Sequence, residues 1–137
     1  MSEILVGYDG SDSAKAALEQ ATGLAKELGD RVVIVFGYAA RGYEGGPMTA
    51  QRDAIKEQGE KVTAEATEAA RAAGVDSEVV LVWEKGAEAL SDLAAQRKAR
   101  MIVVGTHGES TLRGAILGST THRLVHIAET PVLIVRP

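Results

Sequence analysis

Hydrophobic residues fall along this chain in two alternating kinds of segment. The first kind is a short apolar run, too short for a helix and rich in β-branched residues: Ile4-Leu5-Val6, Val32 to Phe36, Val79 to Val82, Met101 to Val104 and Val132 to Val135. Each run predicts a buried strand. The second kind is an amphipathic stripe. Ala14, Ala17, Leu18, Ala21, Leu24, Ala25 and Leu28 keep three-four spacing, which predicts a helix opened by Ser11 or Ser13 and stopped by Gly29. A long helix is predicted from Thr49 to Ala73, with Ile55, Val62, Ala66, Ala69 and Ala73 toward the sheet, Gly59 weakening its middle and Gly74 ending it. A third helix follows Gly86, with Ala87, Leu90, Leu93 and Ala94 inward. A fourth starts near Ser119 and is broken at Thr130-Pro131. Strand and helix therefore alternate throughout, the signature of an α/β fold whose parallel sheet carries helices on both faces. Tyr38 to Met48 reads as a glycine-rich, mobile loop.

Composition narrows the classes. With 137 residues, the chain fits one domain, 1–137, large enough to bury a core without staples. It has no apolar run long enough for a membrane span or a secretory signal, so a cytoplasmic protein with no membrane partner is expected. Zero cysteines exclude disulfides, thiol chemistry and thiolate metal sites. A net charge of -4 argues against nucleic acid, because binding a phosphate backbone needs a basic patch. One small anion remains compatible with that charge, since a local nest of N–H groups can hold it.

The stretch from Gly105 to Thr120, GTHGESTLRGAILGST, is where such an anion is expected. It joins the fourth strand to the last helix. Gly105 and Gly108 remove Cβ atoms that would keep a ligand off the backbone, and Gly118-Ser119-Thr120 opens the helix with unpaired N–H groups, two hydroxyls and the positive end of the dipole. The loop after the first strand, Asp9 to Ser13, supplies a carboxylate. Asp9 could accept hydrogen bonds from ribose hydroxyls or an adenine amine; it could also only cap the helix, although Ser11, Asp12 and Ser13 are available for that.

The spacing Gly105-x2-Gly108-x9-Gly118-Ser119, the Asp9 loop and the closing Thr-Pro-Val-Leu-Ile-Val strand resemble the ATP-binding branch of the universal stress protein family along essentially the full chain. The resemblance implies a single-domain, doubly wound, Rossmann-like sheet of five parallel strands in the order 3-2-1-4-5 with four helices. That order sets the Asp9 loop and the Gly105 loop on facing sides of one crevice, where strand order reverses. It implies that Gly7, Tyr8, Asp9, Gly37 and Val104 line the adenine and ribose end. Gly105, His107, Gly108, Gly118, Ser119 and Thr120 match phosphate-contact positions. It further implies a regulatory role in stress response or growth arrest, and a homodimer paired through Val132 to Val135.

Other residues carry two readings. His107 could donate to a phosphate or be a solvated loop histidine. Arg113 could reach a γ-phosphate or be a surface charge. His122 and His126, four apart on the last helix, could share a face, but without a third ligand they read as a surface pair, and no protein metal site is expected. Mg²⁺ or Mn²⁺ would arrive with the phosphates. Trp83 and Phe36 read as core, and the charges between Gln51 and Glu68 as a solvated face. No Gly-Lys-Ser/Thr loop occurs, and no catalytic base stands out. The alternatives to an ATP-binding regulator are a slow ATPase or adenylating enzyme, and an interaction module that binds no nucleotide.

Overall fold

The structure, a computed structural model, describes residues 1–37, 49–82, 84–107 and 117–137, with backbone alone at 49–51. The segment 38–48, Trp83, Gly108 and Arg113 lie outside the described residues. The elements are β1 (Glu3–Gly7), α1 (Asp12–Leu28), β2 (Arg31–Gly37), α2 (Thr49–Ala72), β3 (Ser77–Val82), α3 (Gly86–Arg97), β4 (Met101–Gly105), α4 (Ser119–Ile127) and β5 (Val132–Val135). All neighbouring strands are parallel, in the order β3-β2-β1-β4-β5. No helix is long and apolar enough to cross a membrane among the described residues.

Both faces of the sheet are covered, which is why the strands read as unbroken apolar runs instead of alternating ones. Period-two alternation sends Ile4, Val6, Val32, Ile34 and Val103 toward α1 and α2. Leu5, Val33, Val35, Ile102 and Val104 face α3 and α4. The central strand β1 pairs on both sides, Leu5 lying opposite Val33 and Ile102, and its three middle residues have no exposure.

Helix α1 lays Ala14, Ala17, Ala21 and Ala25 on the sheet with Leu18 among them, all buried. Ser11 caps it, its Oγ accepting from the Ala14 N–H at 3.2 Å, and Gly29 ends it in the left-handed region at φ 73°. Leu28 departs from the predicted stripe and is exposed. A helix of 17 residues spans about 25 Å and a strand of five about 17 Å, so the last turn overhangs the sheet.

The buried row of α2 also differs from the expected one. It is Gly59, Thr63, Ala66 and Ala70, while Ala69 is exposed and Val62 and Ala73 only flank the row. Thr63 can sit inward because its hydroxyl donates to the Gly59 carbonyl at 2.7 Å within the helix. Gly59 is more than a weak point in the middle of α2. A Cβ there would lie 2.7 Å from the Phe36 ring, so the glycine is the seat that Phe36 packs into.

At the amino ends of the strands, away from the carboxyl-end loops, Glu3, Arg31, Glu78 and Arg97 form linked ion pairs, and buried Asp30 pairs with Arg100 at 2.5 Å.

Candidate functional site

Strand β1 ends at Gly7, and the chain turns through Tyr8, whose N–H donates to the Val35 carbonyl at 3.0 Å. Asp9 then closes a small turn: its Oδ1 accepts from the Ser11 N–H at 2.9 Å, and Gly10 takes φ 84°, a conformation that favours glycine. Asp9 is therefore partly engaged with its own loop, while the capping of α1 falls to Ser11.

The end of β4 is tied to the start of α4 by two bonds. The Thr121 hydroxyl donates to the Gly105 carbonyl at 2.7 Å, and the Gly118 N–H donates to the Thr106 carbonyl at 2.6 Å. From α1, buried Ser13 sets its Oγ 3.3 Å from Thr106 Oγ1 and 3.4 Å from the His107 backbone N–H, and His107 Nδ1 lies 3.1 Å from Thr106 Oγ1. The turn after β4 is thus held on two sides. Gly118 caps α4 without a side-chain acceptor. By helix geometry the N–H groups of Ser119, Thr120 and Thr121 have no partner within the helix, and the positive end of its dipole lies there.

A cavity of about 410 Å³ opens between these turns, at the carboxyl ends of β1, β2 and β4. It brings together most of the residues singled out from sequence. Gly7, Tyr8, Asp9 and Gly37 line it from one side, Val104, Gly105 and His107 from another, and Ser119 and Thr120 from the α4 end. Gly118 caps α4 and spends its N–H on the Thr106 carbonyl, beside the residues that line the cavity. Gly108 and Arg113 fall outside the described residues.

The structure corrects the reason given for Gly105. A Cβ on Gly105 would lie 2.5 Å from Ser13 Cβ and 2.7 Å from the Ser13 carbonyl, so the bare Cα lets α1 approach β4 and does not clear room for a ligand. Gly7 and Gly37 behave alike: a Cβ would meet Leu90 Cδ1 at 2.8 Å and the Glu84 carbonyl at 2.7 Å, respectively.

Sequence reasoning missed one wall. The turn into α3 brings Lys85, Gly86, Ala87 and Glu88 to the cavity, so a second helix N-terminus points into it, and Arg123 joins from α4. Arg123 Nε lies 3.1 Å from Glu88 Oε1 and links the two helices across the rim, a surface pair of small energetic weight. Isolated cations carry no spacing signature. The recoverable signal was general, because every helix of a parallel sheet starts at the carboxyl end of a strand. On the opposite side, burial, then the carboxylates of Glu65 and Asp9, push the Tyr8 phenol above its ordinary value, so it stays a neutral hydroxyl near pH 7.

A doubly wound sheet in this order, with a crevice where the strand order reverses, defines a protein of the doubly wound α/β class, in which ligands, where bound, sit at that crevice. Within that class the assignment is definite. The model of the universal stress protein family matches residues 1–136, and the chain belongs to that family. A universal stress protein of Thermus aquaticus is 36% identical over 135 residues, covering 97% of each chain. A crystal structure of a universal stress protein in complex with cAMP is 31% identical with TM-score 0.76, covering 98% of this chain and 96% of the other. The universal stress protein structure from Archaeoglobus fulgidus superposes with TM-score 0.81 at 23% identity, covering 98% of both, which supports the fold alone.

Proposed function

We propose that this protein binds an adenine nucleotide, ATP by preference, in the cavity between the Asp9 turn and the first turn of α4, and acts as a regulator in stress response or growth arrest. The observation that carries the reading is the polarity of that cavity. A carboxylate acceptor stands at one side and the unpaired N–H groups and hydroxyls of Ser119 and Thr120 at the other, with Lys85 adding positive charge and Arg123 paired to Glu88 at the rim. The cAMP complex of a relative with 31% identity supports the adenine nucleoside as the ligand class.

In this reading Asp9 Oδ2, not used in the turn, accepts from the ribose, and the phosphates rest on the α4 N-terminus. His107, fixed by Thr106, donates from the side. Among the described residues no three His, Asp or Glu side chains gather around one point, so Mg²⁺ or Mn²⁺ comes in on the phosphates. Strand β5 is an edge, and pairing it with a second copy into a homodimer in the cytoplasm removes an aggregation-prone surface.

The test is mass identification of nucleotide released from the denatured purified protein, followed by titration of ATP, AMP, cAMP and adenosine into the stripped chain. Micromolar binding of a nucleotide with weaker binding of adenosine is the expected result. Asp9→Ala should weaken all four ligands by about tenfold or more, the loss of a hydrogen bond to a charged group. No released nucleotide and no saturation at millimolar ATP would refute the reading.

A further inference from the structure

The outer face of α4 carries a feature the nucleotide cavity does not use. His122 and His126 are both exposed, one turn apart, with ring centroids 4.7 Å apart and planes at 73°. We propose that they form a two-histidine chelate for a late first-row divalent cation, Cu²⁺ or Ni²⁺, with water in the remaining positions.

Residues four apart on a helix are neighbours on one face, the spacing at which two imidazoles can share one ion. In the structure the two rings meet edge to face, and because both side chains are exposed they are free to turn about their χ angles and bring one nitrogen of each onto the cation. Neutral imidazoles are good ligands for copper and nickel, and the chain has no cysteine to compete for either.

The position helps as well. His126 lies in the last turn of α4, where the helix dipole is negative and a bound cation is favoured. Arg123, the cation nearest in sequence, has its guanidinium drawn to Glu88 on α3. Among the described residues there is no third protein ligand, so the site is open and exchangeable. The clamp would span one turn of a helix whose first turn carries Ser119 and Thr120, and it would stiffen that helix.

The experiment is calorimetric titration of the full chain with NiCl₂ and CuCl₂ in a non-chelating buffer, alongside His122→Asn, His126→Asn and the double variant. Circular dichroism confirms that each variant folds. We expect one site per chain and a loss of about 10²-fold in either single variant, because the second nitrogen binds intramolecularly. Two-nitrogen hyperfine structure in the Cu²⁺ spin-resonance spectrum should be lost in each single variant. MgCl₂ should give no heat. Equal affinity in wild type and the double variant, or no nickel or copper site in the wild type, would overturn the proposal.

Discussion

Gly105→Ala separates two explanations of the signature glycine. If the glycine is bare so that a phosphate can approach, adding a methyl leaves the empty protein as stable as before and weakens only the ligand. The structure predicts the reverse order of effects. The new Cβ would stand 2.5 Å from Ser13 Cβ and 2.7 Å from both the carbonyl carbon and the oxygen of Ser13. Two of those three atoms are backbone, so no rotamer change relieves them. Helix α1 must retreat from β4 by about 0.7 Å or more to restore ordinary contact, loosening Ala17 and Val103, which are packed with no exposure. Overpacking of this kind costs about 1–3 kcal/mol. We take about 2 kcal/mol, because the alanine recovers part of the loss by restricting the unfolded chain. At about 2.1 cal/mol/K per residue, 137 residues have an unfolding entropy near 0.3 kcal/mol/K, so Tm should fall by about 7 °C. The assay is thermal unfolding of the nucleotide-stripped protein, followed by circular dichroism. Adding Ser13→Gly removes only the shortest of the three contacts and should recover part of the loss, a coupling measurable by double-mutant cycle. A Gly105→Ala protein whose Tm lies within about 2 °C of wild type, with nucleotide affinity alone reduced, would refute the packing argument.

Gly23 is the contrasting glycine: it lies exposed within α1, and a Cβ there meets nothing within 4 Å. Gly23→Ala should stabilise the fold by about 0.5–1 kcal/mol and raise Tm by about 2–3 °C in the same assay. The Asp30–Arg100 pair predicts the acid limb. The hydrogen bond from Arg100 holds the Asp30 carboxyl below its ordinary value against the opposing effect of burial. A depressed carboxylate pKa contributes stability above the unfolded value of about 4 and loses it as pH falls through the folded value. Arg100→Ala should therefore lower Tm at about pH 6, and its curve should converge on wild type as pH falls through the depressed Asp30 value; parallel curves would contradict this.

The order of elements was legible because periodicity reports burial, and the three inner strands are buried on both faces of the sheet while the edge strands β3 and β5 are partly buried. Periodicity reports it less well where small or hydroxylic residues do the packing. Of the row Gly59, Thr63, Ala66 and Ala70, the hydrophobicity reading of α2 found Ala66 alone; Gly59 and Thr63 escaped it, since a glycine holding an aromatic ring and a threonine bonded to its own helix look polar in sequence and apolar in space. Strand order was not contained in the periodicity at all; it entered through the glycine spacing and its resemblance, and the sheet has that order.

The candidate site divides along the same line. Its position follows from topology, so Asp9, His107, Ser119 and Thr120 line one cavity. The reason for each residue does not follow from position. Gly7, Gly37 and Gly105 sit at that cavity, yet their missing side chains face Leu90, the Glu84 backbone and Ser13. A glycine motif near a ligand site thus records first how closely helices and strands must approach to bring their polar ends together. The groups left facing the crevice include main-chain N–H donors, the Ser119 and Thr120 hydroxyls, Lys85 and the Arg123–Glu88 pair, none of which has a spacing to read. For this fold the consequence is an order of causes: close packing at Gly105 and Gly37 sets the α1 and α3 starts, hydrogen bonds from Gly118 and Thr121 set the α4 start, and those starts supply the polar surface of the cavity.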